Sequence, residues 1–524
     1  MTGMTQRPAS GEPLVYAPTW LEARALRRGL PAATVQVAGA GPAAAKRAVA
    51  AGRLPRTGPV AVAGVAGGLD PALRPGDIVV ATQVHQLTRA QAPVSARAQA
   101  PVPATLECPA ARLVAATLRR AGLRVWTGPV VSVDHLVTRR GERAELADAG
   151  ALAVDTESAW LLQDGTDLDP VVVRVIADDS VASLWRPATV AKLQHALRVL
   201  ERVGPALAAW GAARGRRQVL VAGPRSFCAG VVRAIDIVDR LLEQRGAPVY
   251  VRKQIVHNRH VVTGLRERGA VFVEELSEVP DGYPVVFSAH GVAPAVRTTA
   301  AERELAVVDA TCPLVSKVHA EVRRFADAGQ TVLFIGHAGH EETVGTMGER
   351  PEHTVLIEDV DAAWRVQVPD PARISYLVQT TLAADEVASI VDVLAERFPL
   401  LRGPASDDIC YATTNRQQAL AAVTAEAQLC LVVGSANSFN SVRLVERAAR
   451  DGIPAHLIED ADDIDLGWLG GVRTVALTAG ASAPQSLVDD VVGALGALGP
   501  VEVHHRDITY ESVEFTLPKE IRSR

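Results

Sequence analysis

The sequence predicts an α/β protein with an N-terminal α/β domain and a C-terminal half of three small parallel-sheet units. Short β-rich runs alternate with longer helical patterns along the 524 residues, which is typical of strands joined by helical crossovers. The chain is too long for one ordinary domain of about 150 residues. A basic, Gly-containing stretch at 211–218 interrupts the alternation, and we interpret it as a linker between domains 1–210 and 219–524.

The N-terminal elements come first in the chain. Runs rich in Val and Ile favour strands, and longer segments rich in Ala, Leu and Arg favour helices. Strands are predicted at 14–16, 60–63, 78–81, 129–133 and 171–176, and helices at 21–28 and 190–203.

The C-terminal half is more regular, because each apolar run ends in a loop rich in Gly, Ser, His or Cys and is followed by a helical segment. Strands are predicted at 219–222, 307–310, 331–335, 429–433 and 474–478. We divide this half into units 219–311, 312–405 and 406–500 with a tail at 501–524. Ligands of open α/β sheets bind at the carboxyl ends of the strands, so these loops are the expected site.

Composition excludes several classes of protein. Hydrophobic residues make up 48%, and the formal net charge is −5, which gives no electrostatic footprint for nucleic acid or for a membrane surface. Aromatic residues make up 4%, too few for base-stacking platforms. The polar first 13 residues, the lack of a long uncharged apolar run and the sparse cysteines predict a reduced, cytoplasmic protein without membrane insertion.

Five cysteines are spread along the chain, and three of them lie in polar loops just before helical segments. These three are Cys228, Cys312 and Cys410. A helix N-terminus lowers the pKa of a thiol and favours the thiolate that binds metal. Spacing alone leaves open that all three are buried loop residues, since no Cys-x-x-Cys pair is present. Cys108 and Cys430 are interpreted as structural.

Further polar residues follow the strands of the same half. They are His257, His290, His340, Thr380, Ser438, Asn440 and Ser482. Hydroxyl, amide and backbone donors at helix starts bind a compact anion such as phosphate without lysine, and a protonated His adds positive charge. Glu342 is the expected proton donor, and its neighbour Glu341 competes for that role on sequence alone.

Residues 218–524 resemble the 4-hydroxy-3-methylbut-2-enyl diphosphate reductase family nearly from end to end. In chain order, the shared motifs are Phe-Cys-Ala-Gly, Val-His-Asn, Ser-Ala-His-Gly, Asp-Ala-Thr-Cys-Pro-Leu-Val, Gly-His-x-Gly-His, Gln-Thr-Thr-Leu, Asp-Asp-Ile-Cys-Tyr-Ala-Thr-Thr-Asn-Arg, Thr-Ala-Gly-Ala-Ser-Ala-Pro and Leu-Pro-Lys-Glu-Ile-Arg.

The resemblance implies three α/β units around one 4Fe–4S cluster per chain. Cys228, Cys312 and Cys410 would hold it, leaving one iron open for the substrate's hydroxyl. Glu342 matches the proton-relay acid, with Thr380 and His340 completing the catalytic set. The matching diphosphate-pocket positions are His257, His290, His340, Thr380, Ser438, Asn440 and Ser482.

The implied reaction belongs to the methylerythritol phosphate route to isoprenoids. Two electrons and protons remove water from the allylic diphosphate, which gives isopentenyl and dimethylallyl diphosphate. A ferredoxin or flavodoxin is the expected electron donor, because the chain has no nucleotide-binding fingerprint. Two departures stand out: Ser226 where the family usually has Gly, and Phe439 where it usually has a serine that contributes to the diphosphate site.

Residues 14–205 resemble the purine nucleoside phosphorylase and nucleosidase family, which has hopanoid-associated members. The resemblance is carried by Gly64-Val-Ala-Gly-Gly-Leu69, Pro75-Gly-Asp-Ile-Val-Val80, Val154-Asp-Thr-Glu-Ser158 and Arg174-Val-Ile-Ala-Asp178. The family more often has Met at the position of Thr156 and Ser at that of Ala177.

This second resemblance implies that Glu157 holds the ribose and that Asp178 protonates the purine leaving group. The Gly-rich loop around Gly67 would let a phosphate or a base approach closely. A second, nucleoside-cleaving activity is therefore one expectation. The alternative is a retained scaffold or regulatory module in which the glycines only make a tight turn.

Two other functions compete with the reductase. One is a non-catalytic iron–sulfur sensor or ligand-binding regulator with a vestigial phosphorylase domain. The other is a hydrolase with a single zinc ion, which the wide cysteine spacing disfavours.

Overall fold

The computed structural model describes residues 13–31, 34–52, 57–88, 105–163, 167–178 and 187–522. The chain divides into two compact units. The first comprises Met1–Arg217, Ala461–Arg473 and Val491–Glu502, and the second comprises Gln218–Asp460, Thr474–Asp490 and Val503–Arg524. Within the described ranges, no helix is both long enough and apolar enough to cross a membrane.

The first unit is built on long strands covered by helices. Its strands are β1 (Leu14–Ala17), β2 (Val35–Val37), β3 (Thr57–Gly68), β4 (Ile78–Leu87), β5 (Thr105–Glu107), β6 (Val125–Val133), β7 (Ala153–Asp155) and β8 (Asp167–Asp178).

Seven helices accompany these strands in the described part of the unit. They are α1 (Trp20–Gly29), α2 (Pro42–Ala50), α3 (Ala111–Arg120), α4 (Arg140–Asp148), α5 (Ser158–Leu162), α6 (Pro187–Glu201) and α7 (Gly204–Ala212). Helix α1 begins at a capping box in which Thr19 and Glu22 bond each other's backbone N–H groups. All the elements that the sequence predicted for this half are confirmed.

The sheet of the first unit is mixed and contains both parallel and antiparallel pairs. Its strand order is β2-β1-β3-β7-β6-β4-β5, and β8 pairs with both β3 and β4. Strand β8 runs parallel to β3 but antiparallel to β4. Because β8 bridges two strands at opposite ends of the path β3-β7-β6-β4, it closes that path into a ring, and antiparallel pairs are part of the closure.

The second unit is built from shorter strands. Counted from the strand that begins at Arg217, these strands are β9 (Arg217–Gly223), β10 (Val249–Arg252), β11 (Ala270–Val273), β12 (Pro284–Phe287), β13 (Ala306–Asp309), β14 (Thr331–Ile335), β15 (Thr354–Ile357), β16 (Ile374–Val378), β17 (Leu429–Val433), β18 (Ala455–Ile458), β19 (Thr474–Ala479) and β20 (Val501–Asp507).

Helices alternate with these strands, as the sequence predicted. They are α8 (Ala229–Arg245), α9 (Arg259–Glu267), α10 (Pro294–Glu302), α11 (Pro313–Asp327), α12 (Glu341–Met347), α13 (Val360–Arg365), α14 (Ala384–Arg397), α15 (Tyr411–Thr424), α16 (Phe439–Arg450) and α17 (Gln485–Gly496).

Three separate sheets form this half, with strand orders β11-β10-β12-β13, β15-β14-β16 and β18-β17-β19-β9-β20. All the strand pairs formed among β9 to β19 are parallel. Strand β9, which we placed in the first of the three units, pairs instead with β19. The reason is its apolar face: Leu220 and Ala222 share a buried cluster with Leu420, Cys430 and Leu444.

The predicted linker is short and ordered. Helix α7 extends to Ala212 and β9 begins at Arg217, so only 213–216 separate them. Arg217 is buried, and its guanidinium donates to the carbonyl oxygens of Ala213 and Leu469. Arg217, a basic residue of the predicted linker, is therefore part of the packed structure.

Candidate active site

Three cysteines begin three helices of the second unit. Cys228, Cys312 and Cys410 are the N-cap residues of α8, α11 and α15. Pro313 occupies the first turn of α11, where its missing N–H costs nothing. The sulfur of Cys410 accepts from the backbone N–H of Thr413 at 3.3 Å, so this thiol itself caps its helix.

The three cysteines meet at one cavity of about 110 Å³. Gly230 leaves room for their sulfurs, since a Cβ there would lie 2.8 Å from Cys312 Sγ and 3.9 Å from Cys228 Sγ. The cavity is lined by Cys228, Gly230, Val231, His257, Ala289, His290, Cys312, Leu314, Val315, Glu342, Thr380, Thr381, Cys410, Tyr411, Ala412, Thr413, Ser438, Asn440, Ala481, Ser482 and Phe515. Ten of the eleven site residues predicted for this half line it, and His340 does not.

The expectation of a lowered thiol pKa is wrong for two of the cysteines. Burial raises the pKa of Cys312 to about 12 and that of Cys410 to about 11. Desolvation of a thiolate in this apolar pocket outweighs the favourable helix N-terminus. A thiolate here needs a cation beside it, and coordination to a metal deprotonates a thiol outright.

The donor set of the cavity fits a metal cluster better than a single ion. Within the described ranges, no group of three or more His, Cys, Asp or Glu side chains is arranged to hold one metal ion. The three cysteines instead line one cavity, in which the sulfurs of Cys312 and Cys228 lie next to Gly230. Cys thiolates are the usual ligands of iron–sulfur clusters, so the residues present fit that group.

Two histidine rings line the cavity, and the ring of His340 packs edge-on against both of them. The rings of His257 and His290 stack with centroids 4.0 Å apart, and His340 lies 5.8 Å and 5.9 Å from them. Burial lowers the pKa of His257 to about 4 and that of His340 to about 3, and it lowers the pKa of His290 well below its usual value. The histidines are therefore neutral in the free protein, so they can donate N–H groups but do not carry the positive charge that protonation would add.

His340 also starts a helix. It is the N-cap of α12, and its Nδ1 accepts the backbone N–H of Glu342 at 3.2 Å. This bond makes Nδ1 the acceptor, which leaves Nε2 as the N–H donor of the ring. His340 thus orients the segment that carries Glu342.

Glu342 is a buried carboxyl group bonded to Thr380. The backbone N–H of Thr380 donates to Oε1 at 2.7 Å, and its hydroxyl donates to Oε2 at 2.9 Å. Burial raises the pKa of Glu342 to about 7, although both bonds from Thr380 oppose this shift. The group can therefore hold and give up a proton near neutral pH.

Glu341, the alternative acid, faces a different environment. Its carboxylate lies 4.0 Å from Arg252 and 3.8 Å from Lys253, and it is outside the cavity lining. Because Glu341 and Glu342 are the first two residues of α12, they project in different directions, and only Glu342 reaches the cavity.

The diphosphate-pocket candidates on the last two loops are bonded to one another. Ser482 Oγ donates to the carbonyl oxygen of His257 at 2.9 Å and lies 3.4 Å from Ser438 Oγ. The amide oxygen of Asn440 accepts the backbone N–H of Ala481 at 2.9 Å. These bonds bring residues of α16 and of the loop before α17 to the same wall of the cavity.

Thr413 and Asp408 are two site residues that the sequence reasoning missed. Thr413 Oγ1 lies 3.1 Å from Cys410 Sγ and 3.3 Å from Asn440 Nδ2, so it joins a cysteine to the polar wall. Asp408 is buried, accepts the backbone N–H of Val378 at 3.0 Å and pairs with Lys317 at 3.1 Å. Both lie within three residues of Cys410 in the sequence, and this proximity is the signal that could have identified them as site residues.

The two departures from the family pattern have clear local settings. Ser226 has φ of 62°, the left-handed region that Gly adopts without strain. The ring of Phe439 stacks on His337 at 5.0 Å and meets His340 edge-on at 4.8 Å. Phe439 thus packs behind the histidines and outside the cavity lining.

A second cavity of about 530 Å³ lies in the first unit and contains both residues predicted there, Glu157 and Asp178. It is lined by Pro18, Thr19, Glu22, Ala40, Val65, Ala66, Gly67, Val133, His135, Leu136, Val137, Thr138, Arg143, Val154, Asp155, Thr156, Glu157, Ala177, Asp178 and Leu193. Gly67 lies in its wall, but near the end of strand β3 and not in the Gly-rich loop or tight turn that the sequence predicted.

The floor of this second cavity is a buried ionic network. Arg174 is fully buried and lies 2.7 Å from Asp155 and 3.7 Å from Glu157. Glu157 Oε1 accepts the backbone N–H of Gly41 at 2.8 Å. Glu22, which the sequence reasoning missed, also lines the cavity, and burial raises its pKa.

Two sequence profiles match this chain in separate regions. Residues 219–496 match the LytB protein family, and residues 29–198 match the phosphorylase superfamily. The first region contains the cysteine-lined cavity and the second contains Glu157 and Asp178.

Named relatives resemble the second half of the chain. The 4-hydroxy-3-methylbut-2-enyl diphosphate reductase 2 of Mycobacterium bovis is 56% identical over 326 residues, which is 62% of this chain and 98% of that protein. The 4-hydroxy-3-methylbut-2-enyl diphosphate reductase of Phenylobacterium zucineum is 55% identical over 57% of this chain and 96% of its own length.

A solved structure resembles the same half. The E-1-hydroxy-2-methyl-but-2-enyl-4-diphosphate reductase from Plasmodium falciparum superposes with a TM-score of 0.56 at 36% identity. The match covers 58% of this chain and 96% of that one.

Proposed function

The chain belongs to the LytB protein family, and from this premise we propose that it reduces 4-hydroxy-3-methylbut-2-enyl diphosphate to isopentenyl and dimethylallyl diphosphate. One observation carries the proposal at the level of the site: three cysteines and the Glu342–Thr380 pair converge on a single cavity. The products follow from replacing the allylic hydroxyl by hydrogen with two electrons and two protons, which releases water.

The proposed cofactor is one 4Fe–4S cluster held by Cys228, Cys312 and Cys410. When bound, it would supply the electrons. The position of Gly230 beside two of the sulfurs and the bond from the backbone N–H of Thr413 to Cys410 Sγ support this assignment, because a hydrogen bond to a ligating sulfur tunes a cluster. We further propose a ferredoxin or flavodoxin as the donor, and a reduced cytoplasmic setting in keeping with five free thiols.

In this proposal the polar wall binds the diphosphate. Neutral His257, His290 and His340 donate N–H groups, while Ser438, Asn440 and Ser482 add hydroxyl and amide donors. A dianionic ligand stabilises the protonated form of a nearby histidine, so binding raises the low pKa values of these rings.

Glu342 is the proposed proton donor. Its carboxyl group holds a proton up to near neutral pH because it is buried. The two hydrogen bonds from Thr380, one to each carboxyl oxygen, fix the orientation of the group. The hydroxyl of Thr380 also lies where it can help orient the substrate's hydroxyl. The proton goes to the departing hydroxyl group, which leaves as water.

Anaerobic purification with iron and sulfide counts, followed by turnover with reduced viologen, tests the reductase. We expect about four irons and four sulfides per chain, together with formation of both products. A colourless zinc protein would refute the cluster. A cluster without turnover would favour the iron–sulfur sensor over the enzyme.

The pH dependence of turnover follows from Glu342. Its pKa of about 7 lies above the usual value, so the proton is present at low pH and is lost as the pH rises. We expect turnover to fall by about tenfold per pH unit above this pKa. The measurement is a pH–rate profile from 6 to 9, with the residual rate of Glu342→Gln as the reference. Equal activity of the unmodified enzyme across that range would exclude Glu342 as the donor.

Replacing Phe439 by Ser restores the residue that the family usually has. An added neutral hydrogen bond contributes about 0.5–1.5 kcal/mol, so we expect KM to fall by about 2- to 10-fold with little change in kcat. Phe439→Ala removes the same ring contacts with His337 and His340 without adding a hydroxyl. An equal fall in KM for both variants would show that the ring, and not the missing hydroxyl, weakens binding.

For the first unit, we propose a purine nucleoside pocket as a second function. The position of Glu157 and Asp178 in one cavity supports it, together with the phosphorylase-superfamily profile. Cleavage of the glycosidic bond is the activity that the resemblance implies. Incubation of the full chain with purine nucleosides and adenosylhopane, with and without phosphate, tests it. If no free base is released from any of these nucleosides, the cleavage activity is refuted.

A further inference from the structure

A lysine of helix α11 contacts the chain segment that leads to Cys410. Nζ of Lys317 donates to the carbonyl oxygen of Ser406 at 2.7 Å and to that of Asp407 at 2.9 Å. It also lies 3.1 Å from Oδ1 of Asp408. An ammonium group has three N–H donors, so these three acceptors use all of them. Lys317 therefore holds three consecutive residues just before the cysteine.

The segment held in this way has no regular secondary structure. Residues 403–410, between the end of α14 and the start of α15, form neither a helix nor a strand. Two hydrogen bonds tie its end to the neighbourhood of β16: the N–H of Val378 donates to Asp408 Oδ2, and the N–H of Cys410 donates to the carbonyl oxygen of Thr380, both at 3.0 Å. Without helical or ladder bonds, the position of the segment depends on individual contacts such as these. Lys317 adds a contact from a second element, α11.

Helix α11 also carries one of the other candidate ligands. It begins at Cys312, its N-cap residue, and Lys317 follows within the first two turns. Because these turns are one hydrogen-bonded unit, the helix links the position of Cys312 to that of the segment before Cys410. One side chain thus connects the approaches to two of the three cysteines.

The contact between Lys317 and Asp408 joins a partly exposed cation to a buried anion. The Lys317 side chain is 28% exposed, whereas that of Asp408 is 0% exposed. A buried carboxylate that loses its cation is left uncompensated, which is far more costly than the loss of a surface pair. Removal of Lys317 therefore favours movement of Asp408, and of the segment with it, toward water.

We propose that Lys317 is a positioning residue that fixes the separation of Cys312 and Cys410 and so determines how firmly the cluster is retained. The inference rests on the cofactor proposed above and assigns a role to a residue that neither lines the cavity nor binds the cluster. Residues that orient the ligands of a metal commonly change its affinity by about 10- to 100-fold. Lys317 acts in this way on the segment that carries Cys410.

Iron release from the full chain tests the retention of the cluster. The protein is reconstituted and purified anaerobically, then mixed with an iron chelator, and the loss of visible absorbance gives the release rate. We expect Lys317→Met to release iron at least about tenfold faster than the unmodified chain. Circular dichroism checks that the variant is folded. An unchanged release rate in folded Lys317→Met would refute the inference.

Lys253→Met is the matched control for this substitution. The Lys253 side chain is also 28% exposed, and it pairs with the carboxylate of Glu274 at 2.7 Å. Its replacement removes the same charge from the same half of the chain without touching residues 403–410. We expect its release rate to equal that of the unmodified chain. Equal acceleration in both variants would show a general effect of lost charge and would overturn the inference.

Amide hydrogen exchange on the full chain gives a local measurement that does not depend on turnover. In Lys317→Met, residues 403–410 should exchange at least about tenfold faster, while β17 in the core should exchange at the unmodified rate. Faster exchange throughout the second unit would show a loss of general stability and would contradict a positioning role.

Lys317→Arg provides a second variant if Lys317→Met does not fold. Arginine keeps the charge beside Asp408, but its planar donors do not converge on three acceptors at one point. Iron release should therefore lie between the rates of the unmodified chain and those expected for Lys317→Met, and a rate equal to that of the unmodified chain would refute the need for the three contacts. No iron in the unmodified chain would refute the proposed cofactor together with this inference, whereas normal iron retention and exchange in the variants would refute the inference alone.

Discussion

A Glu342→Gln enzyme should keep its cluster and lose turnover by a factor of about 10²–10⁴, the usual contribution of a positioned general acid. The substitution preserves the shape of the site. The amide oxygen can accept the N–H of Thr380, and the amide group can donate to the rotated Thr380 hydroxyl, so both contacts of the carboxylate are retained. The variant lacks only the proton that the Glu342 carboxyl group holds near neutral pH.

Steady-state turnover and iron content measure the outcome of this substitution. Glu341→Gln is the matched control, because it changes the adjacent carboxylate that faces Arg252 and Lys253. Its turnover should stay within about twofold of the unmodified enzyme. If Glu342→Gln turns over at the normal rate, the proton comes from another group and the role of Glu342 is refuted.

Replacing Cys312 by Ser should abolish turnover through loss of the cluster. A hydroxyl has a much higher pKa than a thiol and is a harder ligand than the thiolates that iron–sulfur clusters prefer. With two cysteines remaining, we expect iron and sulfide to fall to a small fraction of about four each per chain, together with the visible absorbance. Helix α11 should survive, since serine is a good N-cap residue.

Cys430→Ala provides the matched control for this cysteine. Cys430 is fully buried in β17 and lies outside the cavity lining, so its loss leaves a small void in the core and should keep the iron content. Iron, sulfide and circular dichroism of the two variants give the comparison. Full iron content in folded Cys312→Ser would contradict its assignment as a ligand.

The sequence predicted those parts of the fold and site that depend on neighbours in the chain. Each candidate ligand cysteine was expected before a helix, and each is an N-cap residue. The alternation of apolar runs and helical segments also located β14 and β17 to the residue. Local propensity and capping are sufficient for such features, because they involve residues only a few positions apart.

The sequence did not predict the features that depend on contacts between residues far apart in the chain. Strand β9 joins β19, about 250 positions away, because its apolar face is covered by that part of the core. Asp408 meets Lys317, and Arg143 meets Asp178, 35 positions along the chain. No sequence motif identifies these pairs. The set of site residues predicted from the sequence therefore lacked charged residues that change the electrostatics of the two sites.

By itself, the sequence determined the order of strands and helices, the residues available for a cluster, a polar wall and an acid, and the likeness to two families. Only the tertiary structure determined the protonation states of these residues. Burial makes the histidines neutral, raises the pKa of Cys312 and Cys410 and brings the pKa of Glu342 to about 7. The physical reason is that a protonation state depends on solvation and on charges contributed by distant segments, and these exist only once the chain has folded.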